Sequence, residues 1–501
     1  MKKRNLKRIF AAFMATALAV STVACGDKDT PGTPDGGDKT TPEPTKEASK
    51  PVDDKKDDKV DTTTPEPTPE APQLIVDPAT GKTMDLGGMH IVVRDWWSDA
   101  EGNWPEATSE FMEAQQEWWT ECQENYNFTI TSQAISDWAG AAPDFVDYVT
   151  TNGDENNYVF VLHGDPAIIS SMQQGLMYDL ATIPWLDFTK EKFTRNKNHE
   201  LYALGSSIYG MATGYSEART GVYFNKQVLT DAGIDPETLY DMQADGTWTW
   251  DKFDELCAKC QRDLDADGVN DIYGITLNEG VMTDMAVFSN GGAYIGKDAN
   301  GFTVDLAKPE TQEALKFCVD MYTKYDQHDP EGANWDYYQE EWKSGKVAFL
   351  IDQAYCSSKG NLFETLDFDI GFVMFPKGPA ASTYLNCWDN NIIVIPGCYD
   401  KDRAEKIAFA YNLYTDMPAG YENYKDLSNY ISGAFDERSI DETISMMMEP
   451  EHGMVSYHGL VPNLNLGPDL TWGIGPNGDV TQATENIIGT WTEYVNAANG
   501  N

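Results

Sequence analysis

The chain has 501 residues, with 36 Lys or Arg against 81 Asp or Glu and a formal charge of −45. A field of this sign repels phosphate backbones and anionic lipid headgroups, which excludes nucleic acid and charge-driven membrane binding. The hydrophobic content of 41 % is typical of a globular protein, and the length allows two to three domains.

Residues 1–24 are predicted to be a signal peptide, because a basic start precedes the apolar run IFAAFMATALAVSTVA, which is short for a membrane-spanning helix. Ala24-Cys25-Gly26 then resembles a bacterial lipobox, which implies that Cys25 is lipidated; an ordinary cleaved signal is the alternative. Residues 26–73 contain nine prolines and no aromatic residue, so we expect residues 25–73 to be the lipidated cysteine and a disordered linker.

From about residue 74 the sequence alternates between strand and helix patterns. Strands are predicted at HIVVRDWW (90–97), FTITSQAI (128–135), YVFVL (158–162), VYFN (222–225), YGITL (273–277), VAFLI (347–351), DIGFVMFP (369–376) and NIIVIP (391–396). Helices are predicted at 104–127, 250–262, 309–325 and 401–415. This alternation predicts layered α/β domains with mainly parallel sheets.

The stretch DLDADGVNDIYG (263–274) has the spacing of a calcium-binding loop, with Gly268 at the sharp turn. Its candidate ligands are Asp263, Asp265, Asp267, the Val269 carbonyl and Asp271. The usual bidentate Glu is replaced by Gly274, and a strand follows instead of a second helix. We therefore predict a structural calcium site, not a regulatory sensor, with a metal-free turn as the alternative.

Seven cysteines follow Cys25, and an odd number in an exported protein leaves at least one without an internal partner. The pair Cys257 and Cys260 has the spacing of a redox motif but lies inside a helical pattern. We therefore expect reduced or structural cysteines.

Five segments, taken in order, resemble the extracellular solute-binding proteins of ABC importers, of the type that binds sugars and oligosaccharides. They are VYFNKQVLTDAGID (222–235), DGTWTWDKFDELCAK (245–259), WKSGKVAFLID (342–352), GFVMFPKGP (371–379) and IVIPGCYDKDRAEKIAFAYNLY (393–414). The resemblance covers roughly residues 88–500 and implies a two-lobed, periplasmic-binding-protein-like (type II) α/β fold with a hinge. Lobe one would comprise residues 74–220 plus 388–440, and lobe two residues 221–387 plus 441–501.

The resemblance implies a binding protein, not an enzyme, that captures a carbohydrate, which we expect to be an oligosaccharide. Its partners would be the ABC permease subunits and their ATPase, and a lipid anchor would hold it on the outer side of the bacterial cell membrane. A surface-anchored glycoside hydrolase and the same receptor fold for a non-sugar solute are the alternatives.

Ligands of layered α/β domains bind beyond the carboxyl ends of strands, where aromatic rings can cover sugar faces and polar groups can bind hydroxyls. The residues predicted to bind the ligand are Trp96, Trp97, Asp165, Tyr215, Glu217, Glu279, Tyr355, Trp388, Asp389 and Trp472. Trp118, Trp119, Trp248 and Trp250 lie within helices or at helix starts and are predicted to be structural.

Overall fold

The computed structural model describes residues 74–163, 166–326, 332–388 and 391–500, without the side chains of residues 166 and 167. The predicted signal peptide, Cys25 and linker lie outside the described residues, as do Asp165 and Asp389. No helix among the described residues is long and apolar enough to cross a membrane.

The strands are short and are spread over the whole described chain. They are β1 Met89–Asp95, β2 Phe128–Ala134, β3 Asn157–Leu162, β4 Ala203–Leu204, β5 Ser207–Ile208, β6 Thr220–Asn225, β7 Tyr273–Leu277, β8 Ile295–Asp298, β9 Gly301–Val304, β10 Val347–Gln353, β11 Ile370–Met374, β12 Asn386–Trp388, β13 Ile392–Val394 and β14 Gly453–Val455. The eight strands predicted from the sequence correspond to β1, β2, β3, β6, β7, β10, β11 and β13.

Most helices lie between these strands in the chain, and the last two follow β14. They are α1 Glu110–Tyr126, α2 Ala141–Thr150, α3 Pro166–Gln173, α4 Glu191–Thr194, α5 Asn198–Leu201, α6 Lys226–Asp231, α7 Thr238–Asp245, α8 Trp250–Cys260, α9 Glu279–Ser289, α10 Pro309–Tyr325, α11 Tyr337–Lys343, α12 Lys401–Tyr414, α13 Ser428–Ile431, α14 Ser445–Met447, α15 Leu466–Asp469 and α16 Val480–Ala498. The four predicted helices correspond to α1, α8, α10 and α12.

Two four-stranded sheets form the centres of the two lobes. The strand order is β13-β3-β1-β2 in the sheet of lobe one and β11-β6-β10-β7 in the sheet of lobe two. All residues of β6 and β11 are buried. Continuous buried runs of this kind are expected where helices cover both faces of a sheet.

Three strands of each sheet run in one direction, and the fourth strand runs against them. In lobe one β13 is antiparallel to β3, and in lobe two β6 is antiparallel to both β10 and β11. The prediction of mainly parallel sheets is therefore right for three strands of each sheet and wrong for β6 and β13. Both exceptions, β6 and β13, directly follow a connection between the lobes and enter their sheets from the opposite end.

The second segment of lobe one ends a few residues earlier than predicted. Asp436 bonds to the Lys226 ammonium at 2.6 Å and accepts a hydrogen bond from the Tyr240 hydroxyl at 2.8 Å, and both partners belong to lobe two. The ring of Phe435 stacks on Tyr223 of β6. The chain has therefore entered lobe two by residue 435, and the final helix α16 packs there on α10 and β9.

Candidate ligand-binding cleft

We expect the carboxyl edges of the two sheets to face a common cleft, because the chain crosses between the lobes at these edges. Thr220, the first residue of β6, pairs with Gln353 at the end of β10, and Ile392, the first residue of β13, pairs with Leu162 at the end of β3. Each crossing strand therefore enters its sheet at the carboxyl edge. Because β12 ends at Trp388, a short link joins the lobes there and holds the two edges close together.

A cluster of four aromatic rings lines the carboxyl edge of lobe one. Trp96 and Trp97 follow β1, and their rings meet edge to face with centroids 4.9 Å apart. Trp138 follows β2 and His163 follows β3, and these two rings stack at 3.9 Å with an interplanar angle of 12°. Trp96 lies edge-on to His163 at 5.8 Å. The outer rings, Trp97 and Trp138, are 59 % and 57 % exposed.

Local hydrogen bonds fix the two turns that carry the exposed rings. The buried carboxylate of Asp95 accepts hydrogen bonds from the backbone N–H groups of Trp97 and Ser98. The Asp137 carboxylate accepts one from Gly140 N–H at 2.7 Å, which closes the turn around Trp138 before α2. Both exposed tryptophans thus lie on short turns that are stabilised by backbone hydrogen bonds to a carboxylate.

The cluster is assembled by the strand order of the sheet. Because β1 lies between β2 and β3, the loops after β2 and β3 can meet only across the end of β1. They do so where His163 Nε2 lies 2.9 Å from the carbonyl oxygen of Trp138. Trp96, at the end of β1, is half-buried and packs against the core beneath them.

Two of the predicted ligand-binding residues follow neighbouring strands at the carboxyl edge of lobe two. Leu277 of β7 pairs with Ile351 of β10, so the residues after the two strands are neighbours. Glu279 is exposed in the first turn of α9, and Tyr355 is 45 % exposed in the turn after β10. Together they offer a carboxylate and a phenol on the side of the cleft opposite the aromatic cluster.

Sequence analysis missed a buried carboxylate on the same edge. Asp352, in β10, is 4 % exposed, and desolvation raises the pKa of its carboxyl to about 6. Hydrogen bonds from Gln353 N–H, Cys356 and Tyr338 oppose this rise in pKa without cancelling it. No sequence motif marks this aspartate, because its burial depends on the packing of α11 and the turn after β10.

Trp472 lies on a short 3-10 turn, Thr471–Gly473, that contacts α9. Its ring is 67 % exposed and rests over Gly467, where a Cβ atom would lie 2.6 Å from the indole. Nearby in the chain, His458–Leu460 contacts α3 of lobe one. This C-terminal segment therefore contacts both lobes, and Trp472 lies on the lobe-two side.

Tyr215 and Glu217 lie on the connection into β6, as predicted, but both already have partners. The Tyr215 ring lies between two cations, 4.5 Å from Arg195 and 5.1 Å from Lys425. Glu217 pairs with Arg219 at 3.1 Å. These contacts stabilise the connection between the lobes, and their role toward a ligand stays a prediction.

The placement of Trp388 departs from the expectation that it lines the cleft. Its side chain is 2 % exposed, and its indole N–H donates to the Met447 carbonyl at 3.2 Å. Gly453 of the neighbouring strand β14 packs directly against the ring, where no Cβ atom would fit. The position of Trp388 next to the crossing strand therefore marks the connection between the lobes. Its indole is packed inside the protein there and exposes no ring face to a ligand.

The acidic loop brings three of its predicted ligands together. Oxygen atoms of Asp263, Asp265 and Asp267 lie within 4.8 Å of one another, and all three residues are exposed. Asp263 accepts hydrogen bonds from the backbone N–H groups of Gly268 and Ala266, and the bond from Gly268 is the main cause that lowers the pKa of its carboxyl. Asp271 instead accepts from Leu264 N–H, and Val269 is 60 % exposed. Calcium binding stays a prediction.

The four tryptophans predicted to be structural are either buried or hydrogen-bonded to another helix. Trp248 is fully buried and Trp250 is 6 % exposed. The indoles of Trp118 and Trp119 donate to the carbonyls of Leu413 and Tyr414 at the end of α12.

Cys257 and Cys260 are buried free thiols inside α8. Burial raises the pKa of Cys260 to about 11, which disfavours the reactive thiolate that a redox motif requires.

The middle of the chain matches the model of a known protein family. Residues 179–410, which include the first two connections between the lobes, match the model of the bacterial extracellular solute-binding protein family. A comparison of this chain with curated proteins found no match.

Solved structures share its fold. UgpB from Mycobacterium tuberculosis, in complex with glycerophosphocholine, is 18 % identical with a TM-score of 0.53, and the match covers 82 % of this chain and 99 % of that one. UspC from M. tuberculosis is 14 % identical with a TM-score of 0.54, covering 82 % and 100 %. The predicted two-lobed α/β fold is thereby confirmed.

Trp138 and His163 are candidate site residues that were not predicted from the sequence, although a signal was present. Both follow predicted strands, at the positions where the rule for ligand sites in α/β sheets directs attention. The rule was applied to the strands before Trp96, Asp165, Glu279 and Tyr355; applied also to the end of β2, and to the first residue after β3, it would have found both.

Proposed function

We propose that this protein is an extracellular solute-binding protein that captures a carbohydrate, specifically an oligosaccharide, in the cleft and releases it chemically unchanged. The observation that carries the proposal is the pair of exposed indoles, Trp97 and Trp138, each backed by another aromatic ring at the carboxyl edge of lobe one. Large apolar rings exposed beside one another mark a binding surface, since solvent contact is unfavourable for them.

The arrangement suits a sugar because a pyranose has apolar C–H faces and a rim of hydroxyl groups. The tryptophan rings would cover a C–H face, and hydroxyls would bond to polar groups such as Glu279 and Tyr355 on lobe two. A hydroxyl buried without a partner costs about 1–3 kcal/mol, so polar groups on both sides of the ligand favour closure of the lobes.

The proposed role includes delivery to membrane partners. The match of residues 179–410 to the extracellular solute-binding family supports capture outside the cytoplasm and transfer to ABC permease subunits and their ATPase. The lipobox-like Ala24-Cys25-Gly26 and the proline-rich residues 26–73 support a lipid anchor with a long tether. Labelling with a fatty-acid analogue, compared between the full chain and its Cys25→Ala variant, tests the anchor.

The function is tested by a thermal-shift screen of oligosaccharides, with glycerophosphocholine included as a non-sugar solute. A ligand at 100 times its Kd stabilises the folded state by about 2.7 kcal/mol. Chromatography of each stabilising sugar after prolonged incubation should recover it unchanged. Stabilisation by glycerophosphocholine alone, or the appearance of cleaved sugar, would contradict the proposal.

Variants then locate the site. We expect Trp138→Ala and Trp97→Ala each to weaken binding about tenfold, because truncating a central aromatic contact commonly costs more than 1 kcal/mol. Leu264→Ala is the matched control, since Leu264 is 65 % exposed in the loop between α8 and β7, at the edge of lobe two opposite the cleft. Wild-type affinity in both tryptophan variants would place the ligand elsewhere.

A further inference from the structure

His163 contacts Trp138 at two separate points. Its imidazole stacks on the indole at 3.9 Å and 12°, and its Nε2 lies 2.9 Å from the carbonyl oxygen of the same residue. One histidine thus holds both the side chain and the backbone of Trp138. Trp96 also contacts the imidazole, with its ring edge-on and the two ring centroids 5.8 Å apart.

Trp138 needs such support because it stands on a turn and is 57 % exposed. An exposed indole on a short turn can adopt several rotamers, and it loses that freedom when a ligand stacks on it. A ring that is already held in one orientation loses less rotamer freedom when the ligand binds, so more of the contact energy appears as affinity. The stack also covers one face of the indole and leaves the other face available.

We propose that His163 is a positioning residue that holds the Trp138 ring with one face covered and the other presented to the ligand. The proposal rests on the carbohydrate-binding function proposed above. His163 acts through Trp138 and does not itself touch the ligand. The stacked ring, more than the contact with the backbone carbonyl, is what fixes the indole.

The test is a double-mutant cycle, read by calorimetric titration with the sugar found in the thermal-shift screen. We expect His163→Ala to weaken binding about two- to tenfold, the range that corresponds to immobilising one side chain. In the Trp138→Ala background the same substitution should change nothing, because the group that it positions is absent. An equal loss in both backgrounds, or no loss in either, overturns the proposal.

Two further variants separate positioning from general damage. His163→Phe keeps a stacking ring, so its affinity should stay within about twofold of wild type; a loss as large as that of His163→Ala overturns the proposal. His90→Ala is the matched control, since His90 lies in β1 toward the amino edge of the same sheet, 2.7 Å from the Thr129 hydroxyl. It should bind as wild type does.

A measurement without ligand keeps this proposal distinct from the function itself. In protein labelled with 5-fluorotryptophan, the fluorine line of Trp138 is assigned by its loss in Trp138→Phe. We expect His163→Ala to shift and narrow that line as the ring gains mobility, and His90→Ala to leave it unchanged. An unmoved line overturns the positioning role, whereas a moved line in a protein that binds no sugar contradicts only the proposed function.

Discussion

Replacing Asp352 by Asn should change how the stability of the protein depends on pH. Asp352 is 4 % exposed at the carboxyl end of β10, and desolvation raises the pKa of its carboxyl from 3.8 to about 6. A raised pKa means that the folded state holds the proton more tightly than the unfolded state does. Stability is therefore lost as pH rises through the interval from about 4 to about 6. The Asn variant lacks this titrating group.

The magnitude follows from the two pKa values. One pKa unit corresponds to about 1.36 kcal/mol, so ionised Asp352 costs the folded state about 3 kcal/mol well above pH 6. Below the unfolded value the carboxyl is protonated in both states, and the cost vanishes. Between pH 4.5 and pH 7.5 the free energy of unfolding of Asp352→Asn should therefore rise by about 2 kcal/mol relative to wild type.

The assay is urea unfolding of wild type and Asp352→Asn at several pH values in that range, followed by tryptophan fluorescence. Asp320→Asn is the control, because Asp320 is exposed on α10 of the same lobe and should differ from wild type by less than about 0.5 kcal/mol throughout. A constant difference between wild type and Asp352→Asn across the range would refute the buried-carboxylate reasoning. A difference that shrinks as pH rises would refute it equally.

Three other features give testable outcomes. Calcium should raise the melting temperature of the wild type but not of Asp263→Asn, and an equal effect of EDTA on both proteins would contradict a metal site at the acidic loop. Gly453→Ala should lower the free energy of unfolding by about 1–3 kcal/mol, because its Cβ would meet the ring of Trp388. An unchanged urea unfolding curve would contradict this close packing between Gly453 and Trp388. The thiols of Cys257 and Cys318 should stay unreactive toward a thiol reagent until the protein unfolds, since burial raises the pKa of both, and rapid modification of the native protein would argue against this burial.

The strands and long helices were predictable because their patterns are local. The apolar run VAFLI is buried along β10, and Thr249 accepts the hydrogen bond that begins α8. The antiparallel directions of β6 and β13 were not predictable from such patterns. Strand direction depends on where the chain enters a sheet, which only the arrangement of the lobes decides.

The candidate site was predicted in part for the same reason. Trp97, Glu279 and Tyr355 follow strands, and the rule that ligands bind at carboxyl ends selects them from the sequence alone. Trp388 was predicted because it precedes the crossing strand, but Gly453 packs against its ring, a contact between segments more than sixty residues apart. Side-chain burial of this kind is a property of packing, and neighbouring residues in the chain do not reveal it.

Solution scattering tests most directly whether the two lobes close over a ligand and later release it unchanged. The radius of gyration of the full chain would be measured without ligand and with a saturating concentration of the sugar found by thermal shift. We predict a smaller radius with the sugar, restored when the sugar is dialysed away and recovered intact. An identical radius in both samples at saturation would contradict the account.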